Sequence, residues 1–246
     1  MSCNDLFKAW RLPLGGGVFA SCLLIFGLST QAFAEVPAPK PIESTPASNF
    51  EFDVPAAGSY ELQHIMRAAD GAVLDIEGAK QRLDRYTGGK VTLLSFIYSS
   101  CADPDGCPYA YTVFHNLKNR LERETQLHHK VRLVSLSFDP KRDTPQMLKL
   151  YAGEHALPNQ PVEWDFLTTE SLTNLLPILD DFGQDVFIDL DRETQQPVGT
   201  FSHVLKIFLI DRDHVVREIY TTNYLHPDMV YNDILTLLQE QGLKLP

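Results

Sequence analysis

Val91-Thr92-Leu93-Leu94-Ser95-Phe96-Ile97-Tyr98 is a nearly unbroken apolar run. A strand that is polar on one face alternates; one covered on both faces does not, so this run reads as a buried parallel strand. It stops just before Cys101, and a helix is expected to start near Cys107-Pro108. Both thiols are therefore expected at the end of a buried strand and at the mouth of a helix. Such a place suits dithiol exchange, soft-metal binding or a plain disulfide, and these two residues alone leave all three open.

Working outward, the chain alternates. Pro108 to Thr125 carries Val113, Phe114, Leu117 and Leu121 at helical spacing. Val131 to Phe138 reads as a second buried strand. Thr144-Pro145 is a helix start, an N-cap followed by proline in the first turn, and that helix runs to about Ala152. Val162 to Leu167 is a third strand. Ser171 to Phe182 is a helix containing Pro177 and closed by Gly183. Ser202 to Ile210 and Val215 to Thr221 read as strands joined by the turn Asp211-Arg212-Asp213-His214. Pro227 to Gln241 is a final helix. This order predicts an α/β domain with a mixed central sheet flanked by helices, the order of a thioredoxin-like fold.

The first 34 residues read as an address. Lys8 and Arg11 precede an apolar stretch of 15 residues, Leu14 to Leu28, and Ala32-Phe33-Ala34 fits a secretory cleavage pattern. The stretch is short of the roughly 20 residues that span a bilayer, although left uncleaved it would serve as an anchor. Phe19-Ala20-Ser21-Cys22 loosely matches a lipoprotein cleavage box, but the apolar run continues past Cys22. Residues 35–55, with Pro37, Pro39, Pro41 and Pro46, read as a linker, and 56–243 as one folded domain. Cleavage would remove Cys3 and Cys22 and leave Cys101 and Cys107 as the only thiols of an exported chain. It would move the net charge from −11 to −12. So acidic a balance argues against nucleic acid and anionic membrane as partners.

Between the cysteines lies Ala102-Asp103-Pro104-Asp105-Gly106. Asp-Pro-Asp-Gly is a type I turn signal that folds the loop back and lets the sulfurs meet. Cys107 is expected at the N-cap, where free amides favour a thiolate. Asp103 and Asp105 would oppose that charge and attract a cation. A third ligand would make the dithiol a metal site. His128 and His129 fall in a polar connection and His115 on a helix, all read as solvated. His203 opens the strand Phe201–Ile210, and by alternation shares a face with Leu205, Ile207 and Leu209. If that strand runs antiparallel to Val91–Tyr98, His203 stands at the sheet edge that carries Cys101.

Phe96-Ile97-Tyr98-Ser99-Ser100-Cys101, Cys107-Pro108, Ser137-Phe138-Asp139-Pro140-Lys141-Arg142-Asp143-Thr144-Pro145, and Ser202-His203 leading into Phe208-Leu209-Ile210-Asp211 together resemble the Sco/SenC family. The resemblance covers roughly residues 56 to 242. These are thioredoxin-like, copper-binding proteins of cytochrome c oxidase assembly. The resemblance implies that Cys101, Cys107 and His203 ligate copper as Cu(I) or Cu(II), and that Cys101 and Cys107 form the redox disulfide. Asp139, at the C-terminal end of its strand on the same sheet edge as the cysteines, is a candidate to orient a ligand or a partner, with a turn before Pro140 as its alternative role. The resemblance implies a carrier rather than a turnover enzyme, located in the periplasm or on the outer face of the cytoplasmic membrane. The recipient would be an oxidase subunit or another periplasmic copper protein. One departure stands out: the family commonly has three residues between its cysteines, and this chain has five. The lengthened loop keeps open a second function, thiol–disulfide exchange with a partner's cysteines. A peroxidase of the peroxiredoxin type fits poorly, because Leu94 and Tyr98 stand where its Pro and Thr would be.

Overall fold

Strand β4 (Val91–Ile97) is buried at every position, the signature of a central strand with helices on both sides. The computed structural model describes residues 53–244. The leader and all but the end of the linker lie outside that range. Around β4 a six-stranded sheet takes the order β1-β10-β9-β4-β5-β6, formed by β1 (Met66–Arg67), β5 (Val131–Ser137), β6 (Glu163–Leu167), β9 (Lys206–Ile210) and β10 (Val215–Thr221). β4, β5 and β6 are mutually parallel, while β9 runs antiparallel to β4 and β10 antiparallel to β9. The C-terminal ends of β4 and β5 and the start of β9 thus share one edge.

Side-chain alternation assigns the two faces. Val91, Leu93, Leu133, Ile207 and Leu209 pack under α2 (Cys107–Glu122), α3 (Pro145–Ala152) and α5 (Pro227–Glu240). Leu94, Phe96, Leu136 and Phe208 pack under α1 (Asp84–Thr87) and α4 (Leu172–Phe182). Phe96 meets Phe182 and Phe208 edge-on at 5.4 and 5.9 Å, the arrangement favoured by ring quadrupoles. Each fully buried Leu or Phe here contributes about 1.5–3 kcal/mol.

The expected helix starts are present. The Thr144 hydroxyl accepts from Met147 N at 3.3 Å, with Pro145 opening α3. The Ser171 hydroxyl accepts from Asn174 N at 3.4 Å, and Gly183 closes α4 in the left-handed conformation at φ 62°. Asp211 Oδ1 accepts from Asp213 N and Val215 N, fixing the β9–β10 turn.

Three expectations need correction. The strand read as Ser202 to Ile210 is two strands. β8 (Pro197–His203) pairs with β7 (Val186–Leu190) in a separate hairpin, and β9 starts at Lys206. β9 loses β4 as a partner beyond the Ser95–Ile207 pair, so the preceding chain turns away and pairs with β7. Gln184 Nε2 donates to Val204 O at 3.0 Å across the break. The break also resets the alternation. Leu205 packs with Ile207 and Leu209, while His203 contacts Tyr98 and Phe138, which continue the opposite face. Finally, His115 is half-buried and bonded within the protein: its Nδ1 lies 3.2 Å from His155 Nε2, and Asn119 Nδ2 lies 2.9 Å from its Nε2. His128 Nε2 likewise reaches Glu122 O at 2.8 Å. The small pair β2 (Ala72–Leu74) and β3 (Lys80–Arg82) completes the fold.

Candidate metal centre

Past β4 the chain enters the thiol loop under the control of one buried carboxylate. Asp143, 1% exposed, accepts from Ser99 N at 2.9 Å, from the Ser99 hydroxyl, and from the Ser137 hydroxyl at 2.6 Å. It ties the ends of β4 and β5 together. Cys101 N then donates to Tyr98 O at 3.2 Å. The expected turn follows, with Gly106 N donating to Asp103 O at 3.1 Å and Asp105 N to Asp103 Oδ1 at 3.1 Å. A Cβ on Gly106 would stand 3.3 Å from Cys101 Sγ, so the turn is packed directly against that sulfur. The N-cap of α2 is Gly106, not Cys107, which is the first helical residue and only 1% exposed. Because the turn ends on Gly106, the cap falls there and the helix begins one residue earlier than expected.

The two sulfurs are free thiols, and their environments differ. Cys107 donates its S–H to Cys101, which lowers the Cys101 pKa to about 5 against an opposing effect of burial; backbone amides and the Tyr98 hydroxyl add to the lowering. The same hydrogen bond, reinforced by burial, pushes Cys107 far above the ordinary thiol range. Proximity to the helix start suggests Cys107 as the thiolate, but the structure gives that role to half-exposed Cys101. Depth decides: the sulfur nearer water carries the charge more cheaply. In the copper-free reduced protein, Cys101 should alkylate well below the pH at which an ordinary thiol reacts. Its rate should hold through neutral pH and fall as pH drops through about 5. Cys107 should stay unreactive while the fold is intact. Mass spectrometry of iodoacetamide-treated protein checks this, and first labelling at Cys107 would contradict it.

Across the cleft, the Tyr98 ring packs against Phe138 and Phe201 at 5.2 Å each and against the His203 ring at 6.3 Å; His203 lies 4.9 Å from Phe138. The aromatic wall holds the imidazole, whose buried Nδ1 has no hydrogen-bond partner. Cys101 and His203 line the same cleft of about 280 Å³, with Asp103, Asp105, Gly106 and Thr222 at its mouth. Among the described residues, no three His, Cys, Asp or Glu side chains are gathered closely enough to share one ion. Cys101 and His203 line the cleft, Cys107 is buried at the start of α2, and the imidazole must still approach the sulfurs. The donor set nonetheless fits a soft ion: one thiolate, one thiol that becomes a thiolate on losing its proton, and one imidazole nitrogen lacking a partner.

Asp139 shares the sheet edge with these groups. Its carbonyl accepts from Arg142 N and Asp143 N, which makes it a turn residue. Its carboxyl, raised in pKa by burial and then by Asp143, faces Arg142 Nε at 3.7 Å. Sequence reasoning missed Asp143 and the Tyr98 hydroxyl. The Asp-Pro-Lys-Arg-Asp-Thr-Pro segment, read for the family resemblance, a turn and a cap, holds the signal for the first.

A mixed sheet with helices on both faces, and a dithiol where its central strand meets a helix, define a thioredoxin-like protein with a thiol–imidazole cleft. Residues 73–239 match the SCO1/SenC family, and the chain belongs to it. The SCO1 protein homolog of Bacillus subtilis (strain 168) is 31% identical over 118 residues, covering 48% of this chain and 53% of that protein; the match thus spans about half the length of that curated relative. The structure of Arabidopsis thaliana ScoI with copper bound superposes with a TM-score of 0.58 at 17% identity, covering 71% of this chain and 99% of the other. BsSco, described as a member of the Sco family of cytochrome c oxidase assembly proteins and as carrying a disulfide switch, superposes with a TM-score of 0.52 at 23% identity, covering 75% and 100%. At these identities the superpositions speak for the fold.

Proposed function

We propose that this protein is a copper carrier that serves assembly of a respiratory oxidase copper site, with Cys101, Cys107 and His203 as its copper ligands. One observation carries the reading: the free thiol of Cys101 and His203, whose buried Nδ1 has no hydrogen-bond partner, line one cleft, and the free, buried Cys107 opens the adjoining helix. Family membership and the copper-bound relative support it. Two thiolates suit Cu(I), and the imidazole adds a donor suited to Cu(II). Uptake must displace the Cys107 proton, so binding is coupled to proton release. Asp103 and Asp105 at the mouth attract the incoming cation. Export through a leader at 1–34, a linker at 35–55 and a periplasmic or membrane-facing location rest on the sequence pattern; an oxidase subunit or other periplasmic copper protein as recipient rests on membership of the family. Disulfide exchange through Cys101 and Cys107 is the lesser reading, which an insulin-reduction assay would separate from it.

The His203→Ala variant tests the ligand set. The parent, reduced and titrated with copper, is expected to bind one ion tightly, with a nitrogen signature in the Cu(II) spectrum. The variant should lose that signature and bind Cu(II) at least about a hundredfold more weakly, because even groups that only support a ligand cost 10–100-fold when removed. Copper binding unchanged in this variant would remove His203 from the set.

A further inference from the structure

We infer that Arg142 is the strut that sets the distance between the His203 hairpin and the thiol loop, and is thereby a positioning residue for the imidazole. This rests on the copper-site reading above for its consequence, but its structural content stands without copper. His203 is not on the central sheet. It ends β8, a strand paired only with β7, so the sheet does not hold it in place. Phe201 and His203 pack on Tyr98 and Phe138, and to this apolar seat the β5–α3 loop adds a directional polar tie to the hairpin backbone.

Arg142 Nη1 donates to Gly199 O, in the middle of β8, at 2.7 Å. The same nitrogen lies 3.4 Å from Ser100 Oγ, the residue before Cys101. Nε lies 3.7 Å from Asp139 Oδ2, which steadies the guanidinium from below. One planar cation therefore touches the hairpin, the thiol loop and its own turn. Its fixed fork is suited to such bridging in a way that a lysine point charge is not. Gly199 is matched to it. Its φ is +83°, and a Cβ there would stand 2.3 Å from Arg142 Nη2. The hairpin residue beneath the strut thus has a conformation that L side chains rarely adopt and no space for one.

The neighbouring residue completes the device. Asp143 grips Ser99 N and the Ser137 hydroxyl, so two consecutive side chains of one loop hold the two sides of the cleft. Asp143 fixes where the thiols begin, and Arg142 fixes where the imidazole ends. This gives the Asp-Pro-Lys-Arg-Asp-Thr-Pro segment a purpose beyond its turn and cap. The hairpin is also tied internally, with Asp189 accepting from Thr200 and Ser202. It should therefore move as a unit about the strut instead of unravelling.

The test uses Arg142→Gln and Gly199→Ala, the second pushing the guanidinium off its carbonyl without removing it. In the copper-free reduced protein, amide hydrogen exchange across residues 197–203 should speed up by at least about tenfold in both variants, the loss expected for one charge-assisted hydrogen bond, with exchange in β4 unchanged. With Cu(II) bound, both should lose the nitrogen signature in part, with about tenfold weaker binding, as for removal of a group that supports a ligand. Cu(I) held by the two thiols should be little affected. Parent-like exchange and spectra in both variants, while His203→Ala loses the signature, would overturn the strut and leave the ligand set standing. An unchanged His203→Ala spectrum would instead overturn the ligand set, and the exchange data from copper-free protein would still decide the strut. Should Arg142→Gln fail to fold, Arg142→Lys, which keeps the charge but not the planar fork, carries the same readouts.

Discussion

Changing either Cys101 or Cys107 to serine is expected to abolish tight Cu(I) binding, by more than about a hundredfold relative to the reduced parent. A hydroxyl is a hard donor that stays protonated, whereas Cu(I) selects soft thiolates, and the loss must exceed the 10–100-fold typical of groups that merely support a ligand. The two variants should nevertheless differ in one respect. In Cys107→Ser the new hydroxyl can still donate to the Cys101 sulfur, as the Cys107 thiol does now, and backbone amides remain around it. Cys101 should therefore keep a pKa well below the ordinary thiol range and still alkylate readily at neutral pH. In Cys101→Ser the buried Cys107 stays protonated, because burial alone raises it. Competition against a chromophoric Cu(I) chelator, run beside an alkylation profile, separates thiolate formation from copper holding. Parent-like affinity in either variant would show that the sulfurs are not the ligands and would leave the five-residue spacing with another purpose.

How far the sequence revealed this site depends on how local each signal was. β4, β5 and β10 were legible to within a residue because burial on both faces or alternation is a property of the segment itself. Asp103–Gly106 folded as read, since Asp, Pro and Gly each favour their own turn position without help from elsewhere. The α3 and α4 starts were legible for the same reason. The hairpin of β7 and β8 was not, because nothing inside Ser202–Ile210 marks where β4 ceases to be a partner. That boundary lies where the chain before β9 leaves β4, beyond the Ser95–Ile207 pair, while β4 itself runs on to Ile97 beside β5. The same hidden boundary moved His203 to the other face, where it meets Phe138 and Tyr98. His203 still reached the expected cleft, because β9 does run antiparallel to β4. Which sulfur carries the charge was also beyond local reading. It follows from the depth of Cys107 and from a hydrogen bond between residues separated by five residues of loop.

Replacing Asp143 by alanine should damage folding as much as a large cavity in the core, costing about 3–5 kcal/mol, since hydrogen bonds to a charged group are each worth roughly 1.5–3 kcal/mol and their donors are left unsatisfied. Asp143 is 1% exposed, so no water stands ready to replace it. Without the carboxylate, Ser99 N and the Ser137 hydroxyl lose their acceptor. Asp139 N, which donates to that same hydroxyl at 3.0 Å, keeps its bond only while the hydroxyl stays oriented. In a domain of this size the melting temperature should fall by roughly 10 °C. Asp143→Asn keeps the shape but turns one acceptor into a donor that faces hydroxyls and an amide, so about half of the loss should remain. Thr144 and Pro145 still start α3 in both variants, which keeps the damage at the sheet edge. Thermal unfolding followed by circular dichroism measures the cost, and a melting temperature for Asp143→Ala within about 2 °C of the parent would contradict it. The thiols should report the same event independently. If Asp143 fixes where β4 hands over to the thiol loop, its loss should expose Cys107 to alkylation in the folded protein, something neither the parent nor Arg142→Gln should allow.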